Sequence, residues 1–289
     1  MPTAQQISRI NDVVYEIHRD TSAELSGRFL ASIAAYSEQH FHRTFHAVVG
    51  ESVHHYVRRT RLEQAANQLM FDLKRPIIEV AEQCGFSSLS SFSKAFKAHF
   101  EMTPGRWRTY DRSKMSASYS TDPEIEAAYK RLQTAILPIP NLVELPDRPV
   151  AYVRHLGYSR SIRQSWQTLK VWAAAEGRPF DMQLGLHHSN PAWVSLEKCR
   201  YVACLAIDTP VLRRGLVNSM RIPGGLHAAF DLTGGYGELL PYISKILDHW
   251  LPASGFRAKT TPAFVHYRKN QFLEQDEHFD LTFYLPINV

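Results

Sequence analysis

Long apolar runs are missing from this 289-residue chain. No stretch reaches the ~18 consecutive apolar residues of a transmembrane helix, which sets aside helical transporters and channels. The opening residues, MPTAQQISRIND, lack the apolar core of a signal peptide. Cysteine is scarce. Cys84, Cys199 and Cys204 are odd in number, sit inside apolar patterns and form no CxxC pair. They read as reduced core thiols of a cytoplasmic protein, with neither a disulfide frame nor a zinc site. No Gly-x-Ser-x-Gly elbow, phosphate loop or metal-ligand set appears. One-signed charge is scarce as well. The net charge is +5; residues 1–112 hold 14 Lys/Arg, 12 Asp/Glu and seven His, and residues 113–289 hold 19 Lys/Arg and 16 Asp/Glu. Bulk charge therefore identifies no partner, and the placement of individual basic residues has to.

What the chain does have is core material: 44% apolar residues with 15 Phe, 13 Tyr and 5 Trp, over a length that suits two or three domains. Residues 77–108 hold two short helical patterns meeting at a turn. The second starts after Ser87 and Ser88, both good N-caps. Phe92, Phe96 and Phe100 recur at i, i+4 and i+8 and share one helix face. The other face carries Ser90, Lys94 and Lys97, with Ser93 at its edge. Small polar and basic groups opposite an apolar keel suit a DNA groove. An ordinary amphipathic surface helix shows the same pattern.

A repeat decides between the two. Residues 4–18 form an amphipathic helical pattern, and residues 25–56 then match the stretch above. Leu30-Ala31 pairs with Val80-Ala81, and Tyr36-Ser37 with Phe86-Ser87, at an offset of 50. After one inserted residue the offset is 51, and Phe41, Phe45, Ser52 and Tyr56 pair with Phe92, Phe96, Thr103 and Trp107. Two copies of a helix-turn-helix unit follow. In the first, Phe41, Phe45 and Val48 point inward, while Gln39, His42, Arg43 and His46 form the outer face. Gln and Arg hydrogen-bond base edges bidentately, and His contacts bases or phosphates. A helix over Val53–Leu73, stopped by Lys74-Arg75-Pro76, joins the copies. At about 30 Å for ~20 residues it approaches the ~34 Å between successive major-groove faces. Arg58, Arg59 and Arg61 near its start are expected on phosphates.

Residues 7–108 resemble the AraC/XylS DNA-binding domain. The matching residues are Leu30-Ala31, Ala34, Tyr36-Ser37, Phe41-x-Arg43-x-Phe45, Gly50-x-Ser52, Tyr56-x-Arg58-Arg59-x-Arg61-Leu62, Ile78, Val80-Ala81, Gly85-Phe86, Phe92-Ser93-Lys94-x-Phe96-Lys97, Thr103-Pro104 and Trp107-Arg108. The resemblance implies binding to double-stranded promoter DNA and contact with RNA polymerase. Two positions depart from it: Ala35 stands where the first turn usually has Gly, and Glu101 replaces the usual Gly before Thr-Pro.

Residues 113–140 read as a linker, serine-rich at Ser113, Ser116, Ser118, Ser120 and Thr121, with a short helix in EIEAAYKRLQTAI. Residues 141–289 repeat at an ungapped offset of 78, with Gly157-Tyr158 against Gly235-Tyr236, Trp172 against Trp250, Gly177 against Gly255, and Leu186 and His188 against Phe264 and His266. Each copy reads strand, Gly-Tyr turn, helix closed by Gly, then two strands, with strands expected in PVAYVRHL, RYVACLAID, HAAFDLTG and FDLTFYLPI. This half resembles the GyrI-like effector-binding domain through Pro149-Val150-Ala151-Tyr152, Ile222-Pro223-Gly224-Gly225, Trp250-Leu251-Pro252-x-Ser254-Gly255 and Tyr284-Leu285-Pro286-Ile287. The resemblance implies a small, often aromatic or cationic ligand, in some relatives with a glutamate on the last strand inside the pocket. Here Thr282 stands near that position, and Asp280 lies two residues earlier on the same face.

The chain is therefore expected to be multidomain: an all-α N-terminal domain with two helix-turn-helix units (1–112), a linker (113–140), and an α+β C-terminal domain of two pseudo-twofold-related repeats with an antiparallel sheet (141–289). The predicted DNA-binding residues are Gln39, His42, Arg43, His46, Arg58, Arg59, Ser90, Ser93, Lys94 and Lys97. Those predicted for an aromatic effector are Tyr158, His188, Trp193, Tyr236, Tyr267, Asp280, Thr282 and Tyr284. His42 and His46 have metal-ligand spacing, but on a DNA-facing surface, so no metal or cofactor is expected. A hydrolase would use Glu238, Asp280 or His188 for acid–base work. A DNA alkyl-transfer protein would need a Pro-Cys-His-Arg setting that neither Cys199 nor Cys204 has, and a protein-binding second domain is the remaining possibility. The expected protein is a cytoplasmic transcription regulator, nucleoid-associated when on DNA, that is not an enzyme.

Overall fold

The structure, a computed structural model, describes residues 2–110, 123–132, 134–190, 193–209, 211, 216–259 and 261–289. The serine-rich stretch of the predicted linker, residues 113–122, lies outside them. The chain divides into two units, one of Met1–Tyr110 with Leu212–Asn218, the other of Asp111–Val211 with Ser219–Val289.

The first unit is helical: α1 (Ala4–Arg19), α2 (Gly27–Ile33), α3 (Glu38–Val49), α4 (Val53–Phe71), α5 (Ile77–Gln83), α6 (Leu89–Phe100) and α7 (Pro104–Arg108). Ser or Thr starts nearly every helix. Thr3, Ser26, Ser37, Ser52, Ser88 and Thr103 each accept a hydrogen bond from a backbone N–H of the first turn, which leaves one fewer unpaired donor there. α4 ends two residues before the expected Leu73. The Asp72 carboxylate accepts from the Arg75 N–H at 3.2 Å and pairs with its guanidinium at 3.0 Å, so a turn replaces the last helical step. Phe41 and Phe45 pack edge-on at 5.7 Å, and Phe45 meets Tyr56 of α4 at 5.6 Å. In the second copy Phe92, Phe96, Phe100 and Trp107 build the same nucleus, and Trp107 Nε1 donates to the Ala66 carbonyl.

The two turns are also equivalent. Tyr36 N–H donates to the Ala31 carbonyl and Phe86 N–H to the Ala81 carbonyl, closing the same helix-terminating motif. Ala35 and Gly85 both take left-handed backbone angles, φ +51° and +75°. At the ends of α3 and α6 the pairing is inverted: Gly50 has φ +86° and Glu101 φ +58°. Ala35 and Glu101 thus hold conformations that cost a side-chain-bearing residue about 1–2 kcal/mol. Ala35→Gly is expected to stabilise the unit by about 0.5–1 kcal/mol after the unfolded-chain entropy is subtracted, read from a denaturant midpoint.

The second unit begins with α8 (Pro123–Leu132), the helix foreseen in the linker. It is tied to this unit, since Tyr129 hydroxyl meets Ser244 at 2.6 Å and Arg131 pairs with Glu238 at 2.6 Å. Then come β1 (Asn141–Leu145), β2 (Arg148–Leu156), α9 (Ile162–Ala175), β3 (Gln183–His187), β4 (Arg200–Ala206), β5 (Asn218–Ile222), β6 (Gly225–Gly235), α10 (Leu239–Lys245), a π-helical turn (Ile246–Trp250), α11 (Leu251–Ser254), β7 (Arg257–Ala258), β8 (Ala263–Lys269) and β9 (His278–Asn288). The strands form one sheet in the order β1-β6-β9-β8-β3-β4-β2-β5, with β7 beside β9. The two copies meet at the antiparallel pair β3–β8, where Leu186 lies opposite Phe264, its own repeat partner 78 residues on. That pairing places the pseudo-twofold axis. The four expected strand stretches are β2, β4, β6 and β9. The second copy's helix is not continuous as α9 is: Pro252 offers no N–H to the Asp248 carbonyl four residues back, and the chain widens to a π turn there.

Candidate functional site

The outer faces of α3 and α6 superimpose in sequence. Gln39, His42, Arg43 and His46 correspond at offset 51 to Ser90, Ser93, Lys94 and Lys97. Gln39, Arg43, His46, Ser90, Lys94 and Lys97 are exposed, while Phe41, Phe45, Phe92 and Phe96 beneath them are wholly buried. His42 and Ser93 are half-buried. His42 packs toward the start of α4, its ring 5.3 Å from that of His54 and its Nε2 3.9 Å from Glu38. It lies against Gly27, where an added Cβ would come within 3.1 Å of the ring. Arg58 is exposed on α4. Among the described residues no group of three or more His, Cys, Asp or Glu is placed to hold a metal ion.

Two basic residues expected on phosphates are placed elsewhere. Arg59 is nearly buried, pairs with Glu51 at 2.6 Å and Glu63 at 2.9 Å, and stacks on Tyr56 at 4.8 Å. Its fork is committed within the fold. Arg61 donates to three backbone carbonyls, of Thr21, Ala23 and Gly85, at 2.8–2.9 Å. Both guanidiniums are thus engaged within the fold, whereas Arg58 is exposed.

In the second unit the sheet has two distinct faces. On the helix side Trp166 Nε1 donates to the Tyr201 hydroxyl at 3.2 Å, and Tyr201 meets Tyr267 at 3.1 Å. Gly185 leaves the room, since a Cβ there would lie 2.3 Å from the Tyr201 oxygen. Burial pushes both tyrosine hydroxyls far above their ordinary pKa. The other side carries an apolar cluster of Val150, Tyr152, Leu184, Leu186, Val202, Cys204, Ile222 and Phe264, with Tyr284 at its margin. There Tyr284 stacks on Phe264 at 4.8 Å and 18°, and His227 stands edge-on to Phe264 at 5.6 Å. His227 Nδ1 lies 2.7 Å from the Gly225 carbonyl, which can only accept. Nδ1 therefore donates, and burial lowers the imidazole pKa, so the neutral ring keeps a lone pair on Nε2.

Next to this aromatic patch is an ionic clamp. Arg268 donates Nε and Nη2 to Asp280 at 2.9 and 2.6 Å and Nη1 to Asp231 at 3.0 Å and Thr282 at 2.7 Å; Nη2 also reaches the Leu281 carbonyl. Thr282 in turn donates to Asp231 at 2.6 Å. The guanidinium holds the Asp231 carboxyl below its ordinary pKa, after the larger effect of the Thr282 hydroxyl.

Comparison with known proteins follows the same division. Residues 30–110 match the model of a helix-turn-helix domain, and residues 139–288, more than half of the chain, match that of the GyrI-like small molecule binding domain. The chain belongs to the GyrI-like family. Its helical unit is a helix-turn-helix domain of the AraC type. The probable transcriptional regulator LumQ of Photobacterium leiognathi is 34% identical over 110 residues, 37% of this chain and 44% of LumQ. The transcriptional regulator Rob of Salmonella typhimurium is 31% identical over 159 residues, 55% of this chain and 52% of Rob. The probable transcriptional regulator YgiV of Escherichia coli O157:H7 is 25% identical over 152 residues, 51% of this chain and 94% of YgiV. LumQ and Rob are thus matched over about half of their length.

Within the GyrI-like unit the eight residues expected at the effector site are dispersed. Asp280, Thr282 and Tyr284 share one face of β9. Strand alternation puts Tyr267 on the opposite, helix-covered face with Tyr201, so it cannot join them. Tyr158 is buried, its hydroxyl shared between the Ser189 and Arg200 carbonyls. Half-buried His188 follows β3, its imidazole pKa pushed well below the ordinary value by desolvation and by Arg154 and Arg200 nearby. Trp193 lies in the β3–β4 connection. Tyr236 carries the Arg160 guanidinium on its ring at 3.9 Å, and Arg160 is itself paired with Glu124 and Glu277. Asp280 and Thr282 serve the Arg268 clamp and are not free as a polar handle. The rings beside Tyr284 are those of Phe264 and His227. Phe264 was legible as the repeat partner of Leu186; His227 needed the strand register.

The groups a hydrolase would use are committed as well. Glu238 Oε2 accepts from the Gly235 N–H at 2.7 Å and Oε1 pairs with Arg131. Asp280 serves Arg268, and His188 is half-buried with its imidazole pKa pushed well below the ordinary value. The described cysteines are all free and buried, and burial pushes the Cys84 thiol up to about 12, away from the thiolate an alkyl transfer needs. No helix of the described residues is long and apolar enough to cross a membrane.

Proposed function

We propose that this protein is a cytoplasmic, nucleoid-associated one-component transcription regulator. In this reading α3 and α6 enter successive major grooves of promoter DNA, and the GyrI-like unit binds a small aromatic molecule that biases DNA binding or contact with RNA polymerase. One observation carries the DNA half: four outward positions of α3 recur at the same offset on α6, above two matching phenylalanine cores. Of the eight, Arg43 has the fork that reads guanine. Arg43→Ala is expected to cost about 1–3 kcal/mol on a selected site and to relax discrimination at one base pair. Fluorescence anisotropy against specific and random duplexes measures this, and an unchanged affinity ratio removes Arg43 as a base reader.

Stacked Tyr284 and Phe264, with the His227 edge beside them, support the ligand half, because flat rings pair by offset stacking. Aromatic compounds that raise the unfolding temperature of the wild type are expected to lose that effect on Tyr284→Ala. Undiminished stabilisation of the variant would move the ligand off this face.

A further inference from the structure

Each helix-turn-helix turn is held by an arginine from the helix before it. In the first unit Arg9 of α1 donates Nη1 to the Ala34 and Ala35 carbonyls at 3.3 and 3.2 Å. In the second, Arg61 of α4 donates Nη1 to the Gly85 carbonyl at 2.9 Å. The roles then diverge. Arg9 holds only its own turn by these bonds. Arg61 also donates Nε to the Thr21 carbonyl and Nη2 to the Ala23 carbonyl, each at 2.8 Å. Thr21 and Ala23 lie in the connection that leads into α2, the first helix of the other reading unit. A single planar fork thus grips both units.

The surroundings make that grip stiff. A Cβ on Gly85 would sit 2.6 Å from the Thr21 carbonyl and 2.7 Å from the Arg61 guanidinium, so the turn of the second unit rests directly on the lead-in of the first. The lead-in is fixed in turn: Thr21 hydroxyl donates to Gln64 of α4, and Ser22 N–H donates to Asp20 at 2.9 Å. The two units also share α4, a rod that fixes their separation along its axis. Each core is closed on its own, Phe41–Phe45–Tyr56 in one and Phe96–Phe100–Trp107 in the other.

We propose that Arg61 is a positioning residue that sets the angle between α3 and α6, and thereby the separation of the two DNA elements the protein accepts. The inference rests on the DNA-reading function above. Arginine suits the task because its donors point in fixed directions in one plane, whereas a lysine ammonium cannot satisfy three carbonyls spread around a plane.

The test uses the full-length protein and a randomised duplex library. Wild type is expected to enrich two elements at one separation, close to a helical turn of ~10.5 base pairs. Arg61→Met, with the same circular dichroism as wild type, is expected to enrich the same two elements over a separation broadened by a base pair or more. Its affinity for the best wild-type site should fall about tenfold, and its penalty for one inserted base pair should shrink toward none. Arg61→Lys should fall between the two, and Gly85→Ala, which forces the same contact open from the other side, should broaden the separation as well. A folded Arg61→Met that keeps the wild-type separation overturns the proposal. Where Arg61→Met does not fold, unchanged separation in both Arg61→Lys and Gly85→Ala overturns it. Enrichment of no paired elements by wild type is a different result, which removes the DNA-reading function itself and this inference with it.

Discussion

Arg59→Ala is expected to destabilise the helical unit by about 3–5 kcal/mol while leaving the salt dependence of DNA binding as it was. Arg59 is 11% exposed and sits between Glu51, 23% exposed, and Glu63, 11% exposed. Removing the guanidinium takes from Glu51 and Glu63 the cation they share, with His55 left beside Glu51 at 2.5 Å, a larger penalty than the pair's own net contribution. Its planar stack on Tyr56 is lost too. A phosphate contact would behave the opposite way, with little effect on folding and a salt slope shallower by about one, as expected for Lys94→Ala. Denaturant titration together with anisotropy at several salt concentrations separates the two roles. A stable Arg59→Ala with a shallower slope would return Arg59 to the DNA face.

Phe96→Ala is expected to cost about 3–5 kcal/mol, enough to unfold α6 from the unit at ordinary temperature. Phe96 is fully buried and meets Phe92, Phe100 and Trp107 with ring centroids 4.6–5.6 Å apart. Deleting its ring leaves a cavity that these aromatics cannot close without leaving their own rotamers. Loss of α6 helicity should take specific DNA binding with it, because one reading helix remains. Circular dichroism and anisotropy report the two losses together. A well-folded Phe96→Ala with wild-type affinity would mean that α6 is not docked through this keel.

Periodicity made the helical unit readable. The stripes Phe41–Phe45 and Phe92–Phe96 fix which side of each helix is buried, and everything exposed on α3 and α6 follows from them. The same period hides the fate of neighbours. Arg58 and Arg59 differ by one step, about 100° around the helix, so one points outward and the other into the fold. Glu63, four residues after Arg59, was a sign of pairing within α4. In the GyrI-like unit the repeat placed Leu186 opposite Phe264 in sequence, and the structure pairs them across the sheet centre. What the sequence hid there was register. Whether Tyr267 joins Tyr284 depends on a strand boundary one residue either way, and Arg268 reaches Asp231 and Asp280 from strands far apart in the chain. Pro252 stands inside a stretch expected to be one helix closed by Gly255, and the π turn before it was not foreseen.

Hydroxyl-radical footprinting of the wild-type protein on a selected duplex bears most directly on whether α3 and α6 read DNA together. Two protected patches on one face of the duplex, about one helical turn apart, are expected, and Arg43→Ala should weaken only one of them. A single patch, or protection that follows no sequence, would contradict the two-helix reading.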